Sequence, residues 1–397
     1  MSKLIYLTDR SRIVTREECE RKRFLNYDFD INGEPVGVQR RTQSLPLLNG
    51  IETHETAARI LTCQPLDKII ALMHERYRAQ VKARGVSGHP DAEALIREQT
   101  NLLEGMLRAF TRVWVPRILD EYDVVTIEQP LDWVLAPGLV QKLRFDVVLR
   151  RKGDGQLVIL DYKSMAYVSD AWSRKLERSR QTSLYISAAQ EHYGEKVEIA
   201  YLGMVKGIYG KDTAKSSPFH EQKIQKSPYL YAYALMGDVG NVYQTEYTNK
   251  KGFRKIRTYD HMSMAKWIDW LWDNERKTMQ EAFTFNPPFS PTPRELERVK
   301  QLVIREELKY LEDIRQYKAL RARAIEADDP VLLQQAQDFL DFVAAPMRDE
   351  ACVMYGMEHT CQFYGVCHTE GALESVLEDG EFEPREAHHN TELEEAA

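Results

Sequence analysis

No stretch of this 397-residue chain approaches the ~20 consecutive apolar residues that a membrane-spanning helix requires. Met1-Ser2-Lys3-Leu4-Ile5 lacks the apolar core of a secretory signal, so a soluble, cytoplasmic protein with no membrane association is expected. Cysteine is scarce, five residues in all, and a cytosolic setting disfavours tying those five into structural disulfides. A phosphate-cradling Gly-x-x-x-x-Gly-Lys-Ser/Thr loop is missing. Gly207-Ile208-Tyr209-Gly210-Lys211 is too short to be one, which sets aside a built-in ATP-driven motor. No internal repeat is present. Excess positive charge is absent too, since the formal charge is −7. That deficit is local: residues 370–397 hold ten acidic side chains against one Arg, leaving residues 1–369 at +2. The 370–397 segment has no sustained apolar pattern and reads as a disordered acidic extension. The acidic balance therefore excludes no polyanionic partner.

With 43% hydrophobic and 29% charged residues the chain can build at least one large core. Residues 13–30 read as a basic, helical start containing Cys19. A helix-like run, Leu47 to Leu61, carries His54, and residues 91–121 form a long amphipathic segment. Val124 to Leu135 is strand-like. Ser169 to Tyr193 reads as one helix, capped by Ser169 or Asp170 and closed by Gly194. Val197 to Lys206 returns as a strand, so strand–helix–strand implies a parallel pair. Thr245 to Asp260 resembles a second hairpin. Pro287-Pro288 and Pro291-x-Pro293 mark a break before a long charged helix, Glu295 to Ala327. Tyr209, Tyr229, Tyr231 and Tyr233 could stack on unpaired bases, although alternating tyrosines in a strand are more often packed against a sheet.

The chemistry concentrates between Lys142 and Tyr185. Arg144-Phe145-Asp146-Val147-Val148-Leu149 and Leu157-Val158-Ile159-Leu160-Asp161-Tyr162-Lys163 are β-branched, apolar runs separated by Arg151-Lys152-Gly153-Asp154-Gly155-Gln156, the pattern of a hairpin. A turn centred on Gly153-Asp154 sets Asp146 directly opposite Asp161. Facing like charges in a ladder are destabilising unless something compensates them, and a divalent cation is the obvious compensator. Lys163, two residues beyond Asp161, points to the same face. Gln181 and Tyr185, four apart, share one face of the following helix.

An isolated Asp-x-Lys on a strand is common and is seldom catalytic. The combination here resembles the PD-(D/E)XK nuclease superfamily, and in particular its RecB-like exonuclease branch, which includes CRISPR-associated and phage members. The resemblance rests on His54, Asp146, the Asp161-Tyr162-Lys163 triplet and Gln181-x-x-x-Tyr185, and it covers residues 13–206 plus a C-terminal cysteine cluster. It implies an α/β, restriction-endonuclease-like core, a mixed central sheet flanked by helices, with helical insertions. It also implies that Asp146 and Asp161, with His54, hold Mg²⁺ or Mn²⁺, hard ions that prefer oxygen ligands. Lys163 would orient the attacking water or stabilise the transition state. Gln181 and Tyr185 either pack under the hairpin or touch the DNA backbone. Glu128 could add an outer carboxylate, although strand-end glutamates are usually solvated. Arg174 and Lys175, leading toward Gln181, are candidate phosphate contacts, as are Lys250, Lys251, Arg254, Lys255 and Arg257 on the later hairpin.

The iron–sulfur members of the RecB-like family place one Cys before the nuclease core and three after it, the last two separated by five residues. Cys19, Cys352, Cys361 and Cys367 match that order, with Cys63 left over. Cys352 departs from the pattern, with eight residues between it and Cys361, where many members have Cys-x-x-Cys immediately before the last gap. Four thiolates suit a 4Fe-4S cluster, with zinc as the alternative. The organisation expected is an N-terminal segment at 1–46, a nuclease core at 47–245 and a hairpin with helical insertion at 246–345. A cysteine cluster at 346–369 would close onto the N-terminal segment, and the acidic tail would follow at 370–397. The function expected is a metal-dependent DNA exonuclease of recombination, repair or phage DNA metabolism. It would act on DNA, single-stranded or with free ends, beside a separate helicase or recombination protein. The alternative is a catalytically lapsed DNA-binding or scaffold subunit of the same fold.

Overall fold

The computed structural model describes residues 6–31, 34–42, 45–62, 64–84, 92–165, 170–206, 243–248, 254–259, 263–274, 276–352, 361–369, 375–378 and 380–385. The chain forms β1 (Tyr6–Asp9), α1 (Arg10–Glu18), α2 (Glu20–Arg23), β2 (Asp30–Ile31), β3 (Glu34–Pro35), β4 (Val38–Arg40), α3 (Leu45–Ile60), α4 (Leu66–Arg84), α5 (Ala92–Val113) and α6 (Val115–Glu121). Three strands follow, β5 (Tyr122–Ala136), β6 (Leu139–Arg151) and β7 (Leu157–Met165), then α7 (Asp170–Glu177), α8 (Arg180–Tyr193) and β8 (Val197–Val205). The remainder is β9 (Tyr243–Thr248), β10 (Arg254–Tyr259), α9 (Met264–Asn274), α10 (Arg276–Glu281), β11 (Phe283–Phe289), α11 (Pro293–Glu326), α12 (Pro330–Phe339), α13 (Asp349–Cys352), α14 (Tyr364–His368) and β12 (Phe382–Pro384). Among the described residues no helix is long and apolar enough to cross a membrane.

The chain separates into two compact units. One comprises residues 43–130 and 144–296, the other 1–42, 131–143 and 297–397. The segment 246–345 is thus divided: its hairpin belongs to the first unit, and its helix, from 297 on, to the second.

The first unit is built on a mixed sheet in the order β6-β7-β8-β11, with β5 pairing β6. β6 and β7 are antiparallel, β7 and β8 are parallel, and β11 returns antiparallel on β8. The β7–α8–β8 crossover supplies the parallel pair that the sequence pattern implied. β7 reads Leu-Val-Ile-Leu because a strand covered on both faces needs apolar side chains at every position. Its even-numbered residues, Val158, Leu160 and Tyr162, join Phe110, Leu103, Met106 and Trp267 in the main core. β11 passes through Pro287-Pro288, where a break was expected. The strand lies at the end of the sheet and its register shifts between Asn286 and Phe289, the setting in which a strand tolerates proline.

The helix expected over Ser169–Tyr193 is two helices. Ser179 interrupts it in an extended conformation, φ −71° and ψ 143°, and its hydroxyl accepts the N–H of Thr182 at 3.2 Å. Thr182 in turn donates to the Leu176 carbonyl at 2.6 Å, so the broken turn keeps its hydrogen bonds. Gly194 ends α8 in the left-handed conformation, φ 69°.

In the second unit a buried ion network joins the N-terminal helices to α11. Arg23 and Glu307 are both fully buried and 2.6 Å apart, and Thr8 donates to the other Glu307 oxygen at 2.6 Å. The acidic extension is a correction. Within it, β12 pairs antiparallel with β4, and buried Phe382 stacks on Phe363 with centroids 5.2 Å apart. One aromatic anchor is too short a signal to register as an apolar pattern.

Candidate active site

The site is assembled in the first unit from α3, the β6–β7 hairpin and α8. α3 is fixed in rotation by buried polar side chains. Glu52 is fully buried, accepts from Arg76 of α4 at 2.7 Å and from Gln80 at 3.2 Å, and is raised by burial despite that arginine. Asn49 donates to Gln99 of α5 at 2.8 Å. Held between α4 and α5, α3 brings His54 to the hairpin, where its Nδ1 lies 2.8 Å from Asp146 Oδ2.

The hairpin ladder runs from Arg150↔Leu157 to Val147↔Leu160, and the same register makes Asp146 and Asp161 the next pair. The ladder stops there. Beyond it the Tyr162 N–H donates to Asp146 Oδ2 at 2.9 Å, a carboxylate oxygen standing where a backbone carbonyl otherwise would. Lys163 pairs with Asp161 Oδ2, and Gln181 Nε2 donates to Asp161 Oδ1 at 3.3 Å. The Lys163 ammonium also lies 5.6 Å from the centre of the Tyr201 ring. Tyr185 is buried edge-on against Phe145, centroids 5.5 Å apart, so it packs under the hairpin.

Burial alone would raise the Asp146 carboxyl. The charges of His54 and Lys163, with hydrogen bonds from His54 and the Tyr162 N–H, outweigh it and hold the group below the usual carboxylate range. Glu128 behaves oppositely. Burial, helped by the charge of Asp146, pushes its carboxyl up to about 7 against the pull of Arg144 and His54. Arg144 Nε is 2.8 Å from Glu128 Oε2, while Oε1 is buried with no hydrogen-bond partner among the described residues. Glu128 also sits at φ 50°, a left-handed conformation that a non-glycine residue in a strand adopts at a cost of about 1 kcal/mol or more. Its strain, its orphaned oxygen and its position beside Asp146 and His54 add it to the candidate site. The sequence offers no sign of the positive φ.

Arg174 and Lys175 are exposed on α7, a helix separate from the one carrying Gln181 and Tyr185. Tyr209, Tyr229, Tyr231, Tyr233, Lys250 and Lys251 lie outside the described residues, as do the side chains of Arg254, Lys255 and Arg257. Tyr201 was not anticipated. Its register on β8, opposite Asp161, is the signal that could have found it.

Cys19, Cys352, Cys361 and Cys367 belong to the second unit. Cys19 forms the junction of α1 and α2, the Cys361 N–H donates to the Cys352 carbonyl at 2.9 Å, and Cys367 lies in α14. All four are free thiols, and Cys63 lies outside the described residues. Burial pushes the Cys367 thiol up to about 12. Cys361, Cys19 and Cys352 add to that rise, and Arg21 opposes it. The four thiols thus share one electrostatic neighbourhood. Among the described residues, no group of three or more His, Cys, Asp or Glu side chains is placed to hold a metal ion.

The family model described as the PD-(D/E)XK nuclease superfamily matches residues 10–368, nearly the whole chain. No curated protein matches the sequence.

Proposed function

The chain belongs to the PD-(D/E)XK nuclease superfamily, and from that premise we propose that it is a metal-dependent deoxyribonuclease of the RecB-like branch, acting from DNA ends. The observation that carries this reading is the parting of the hairpin at Val147↔Leu160. There Asp146 leaves the ladder to meet His54, and Asp161 is held between Lys163 and Gln181.

The side chains suit a hard divalent cation. Two carboxylates and an imidazole offer the oxygen and nitrogen donors that Mg²⁺ or Mn²⁺ accepts. The orphaned Glu128 oxygen and the raised Glu128 carboxyl mark a point where positive charge is undersupplied. Asp146, Asp161 and His54 would hold the ion, with Glu128 as an outer carboxylate. When bound, such an ion lowers the pKa of a coordinated water and neutralises charge on the phosphoryl oxygens.

The remaining roles belong to the protein. Lys163 presents an ammonium with three donors beside Asp161, suited to orienting the nucleophilic water and to stabilising a pentacovalent phosphorane. Gln181 fixes the Asp161 carboxylate through its amide. Tyr185 supports the hairpin from beneath through Phe145. Arg174 and Lys175 supply exposed positive charge for the DNA backbone. In the second unit, Cys19, Cys352, Cys361 and Cys367 would ligate a 4Fe-4S cluster, with zinc as the alternative. Four free thiols are a donor set that either group accepts.

The test is digestion of end-labelled linear DNA and of covalently closed circles with Mn²⁺. The reading expects linear strands to shorten while circles persist. Cleavage of circles at the same rate would overturn end dependence, and no cleavage of either would overturn the nuclease assignment.

A further inference from the structure

Lys163 carries its ammonium on a flexible four-carbon stem, which by itself does not fix where the charge points. Its ion-pair partner is Asp161 Oδ2. Under the proposed function the Asp161 carboxylate is also a metal ligand, and a carboxylate engaged by a divalent ion holds an ammonium less firmly. Lys163 then needs a second contact that an ion at Asp161 leaves untouched.

Tyr201 supplies one. It pairs with Asp161 in the parallel β7–β8 register, so its side chain lies on the face that carries Asp161 and Lys163. The Lys163 ammonium stands over the Tyr201 ring, 5.6 Å from its centre. That is within the ~6 Å at which an aromatic face attracts a cation. Gly203, the β8 partner of Lys163, carries no side chain to come between them.

The ring is held in place. Tyr201 is fully buried, and Phe289 lies beside it with centroids 6.3 Å apart. The Tyr201 hydroxyl is 2.6 Å from Thr182 Oγ1. Thr182 gives its only hydroxyl proton to the Leu176 carbonyl, so Tyr201 is the donor in that pair. Donation polarises the phenol and enriches the ring, which strengthens its pull on a cation. The helix break at Ser179 sets this up, because α8 starts there and its first turn presents Thr182 to β8.

We propose that Tyr201 is the positioning residue for Lys163, its ring face holding the ammonium at the candidate active site while Asp161 is engaged by a cation. The inference rests on the nuclease reading for its purpose and on the ring contact for its geometry. Tyr201 has no exposed surface, so it acts through Lys163 and not on the substrate.

The test replaces Tyr201 by Phe and by a ring-trifluorinated phenylalanine, which keeps the shape of Phe and strips electron density from its face. Cleavage of linear DNA in Mn²⁺ gives kcat and KM. Tyr201→Phe, which keeps an aromatic face, should stay within a fewfold of wild type. The fluorinated variant should lose about 5–30-fold in kcat relative to Tyr201→Phe, with KM unchanged, the factor that a partly buried cation–ring contact supplies. Equal kcat in the two would overturn the positioning role, since packing depends on shape and they share it. A second readout needs neither metal nor cleavage. In Asp161→Asn protein carrying labelled lysine, in EDTA, the Lys163 methylene protons next to the ammonium should be shifted upfield by the Tyr201 ring. Adding the fluorinated ring should return them to the position of exposed lysines. Ordinary shifts in Asp161→Asn itself would overturn the contact. Wild-type protein that fails to cleave DNA would defeat the nuclease reading, and the spectra then decide whether the ring holds Lys163.

Discussion

His54 Nδ1 and Asp146 Oδ2 stand 2.8 Å apart, and the same carboxylate oxygen accepts the Tyr162 N–H at 2.9 Å. One oxygen thus ties a helix, a strand end and the residue following Asp161 into a single arrangement. Replacing His54 by Ala removes one donor to Asp146 and one candidate ligand. Cleavage in Mg²⁺ should fall by about 10–100-fold, the scale seen when a group that holds a metal ligand in place is lost. Initial rates on linear duplex DNA check it, with circular dichroism showing the fold retained.

Lys163 pairs with Asp161 and lies 5.6 Å from the centre of the Tyr201 ring, and under the proposed function its charge would meet the reacting phosphoryl group. Lys163→Ala should reduce kcat by about 10²–10³-fold and leave DNA affinity within a fewfold. A variant that loses binding and rate together would make Lys163 a phosphate anchor instead.

Glu128 makes stability depend on pH. Its carboxyl is raised from 4.5 to about 7 by folding, so the folded state holds the proton more tightly. The stability this contributes is complete below about pH 4.5 and is lost as pH rises through about 7. Glu128→Gln cannot ionise and should lack that loss. In metal-free buffer the variant should gain on the order of 1–2 kcal/mol relative to wild type between about pH 4 and about pH 8, allowing for solvent screening. Urea unfolding at the two pH values measures it. A constant difference would show that Glu128 does not titrate differently in the fold.

Gly203 pairs with Lys163 across the parallel strands, and a Cβ there would come within 2.5 Å of Thr284 Cγ2 and 2.8 Å of Met165 Cε. Gly203→Ala must push β11 or Met165 aside, at about 1–3 kcal/mol. The denaturant midpoint should fall with an unchanged slope.

Much of this geometry was legible beforehand. The turn at Gly153-Asp154 gave the hairpin register, and the strand after α8 gave the parallel pair, because alternation and turn chemistry are local signals. What was not legible depends on tertiary context. The ladder's end at Val147 follows from α3 presenting His54 to Asp146, a contact 92 positions away in sequence. Ser179 looks like any polar residue on a helix until its hydroxyl takes the Thr182 N–H. Glu128 reads as a solvated strand residue, yet it is strained and partly buried. Phe382 is a single aromatic residue in an acidic stretch, ordered by β4 and Phe363.

The four thiols of the second unit predict a metal content. Protein purified without oxygen should contain about four iron and four sulfide per chain and absorb broadly in the visible range. Cys367→Ser should lose both, and Cys63→Ser neither. One zinc per chain in place of iron would exchange the cluster for a zinc site, and protein free of both metals would refute ligation by these cysteines.

The most direct measurement is anomalous diffraction from crystals soaked in manganese. A peak between the Asp146 and Asp161 carboxylates, within reach of the His54 imidazole, is the expected result. Crystals that diffract well, yet show those two acids turned apart with no ion near either, would contradict it.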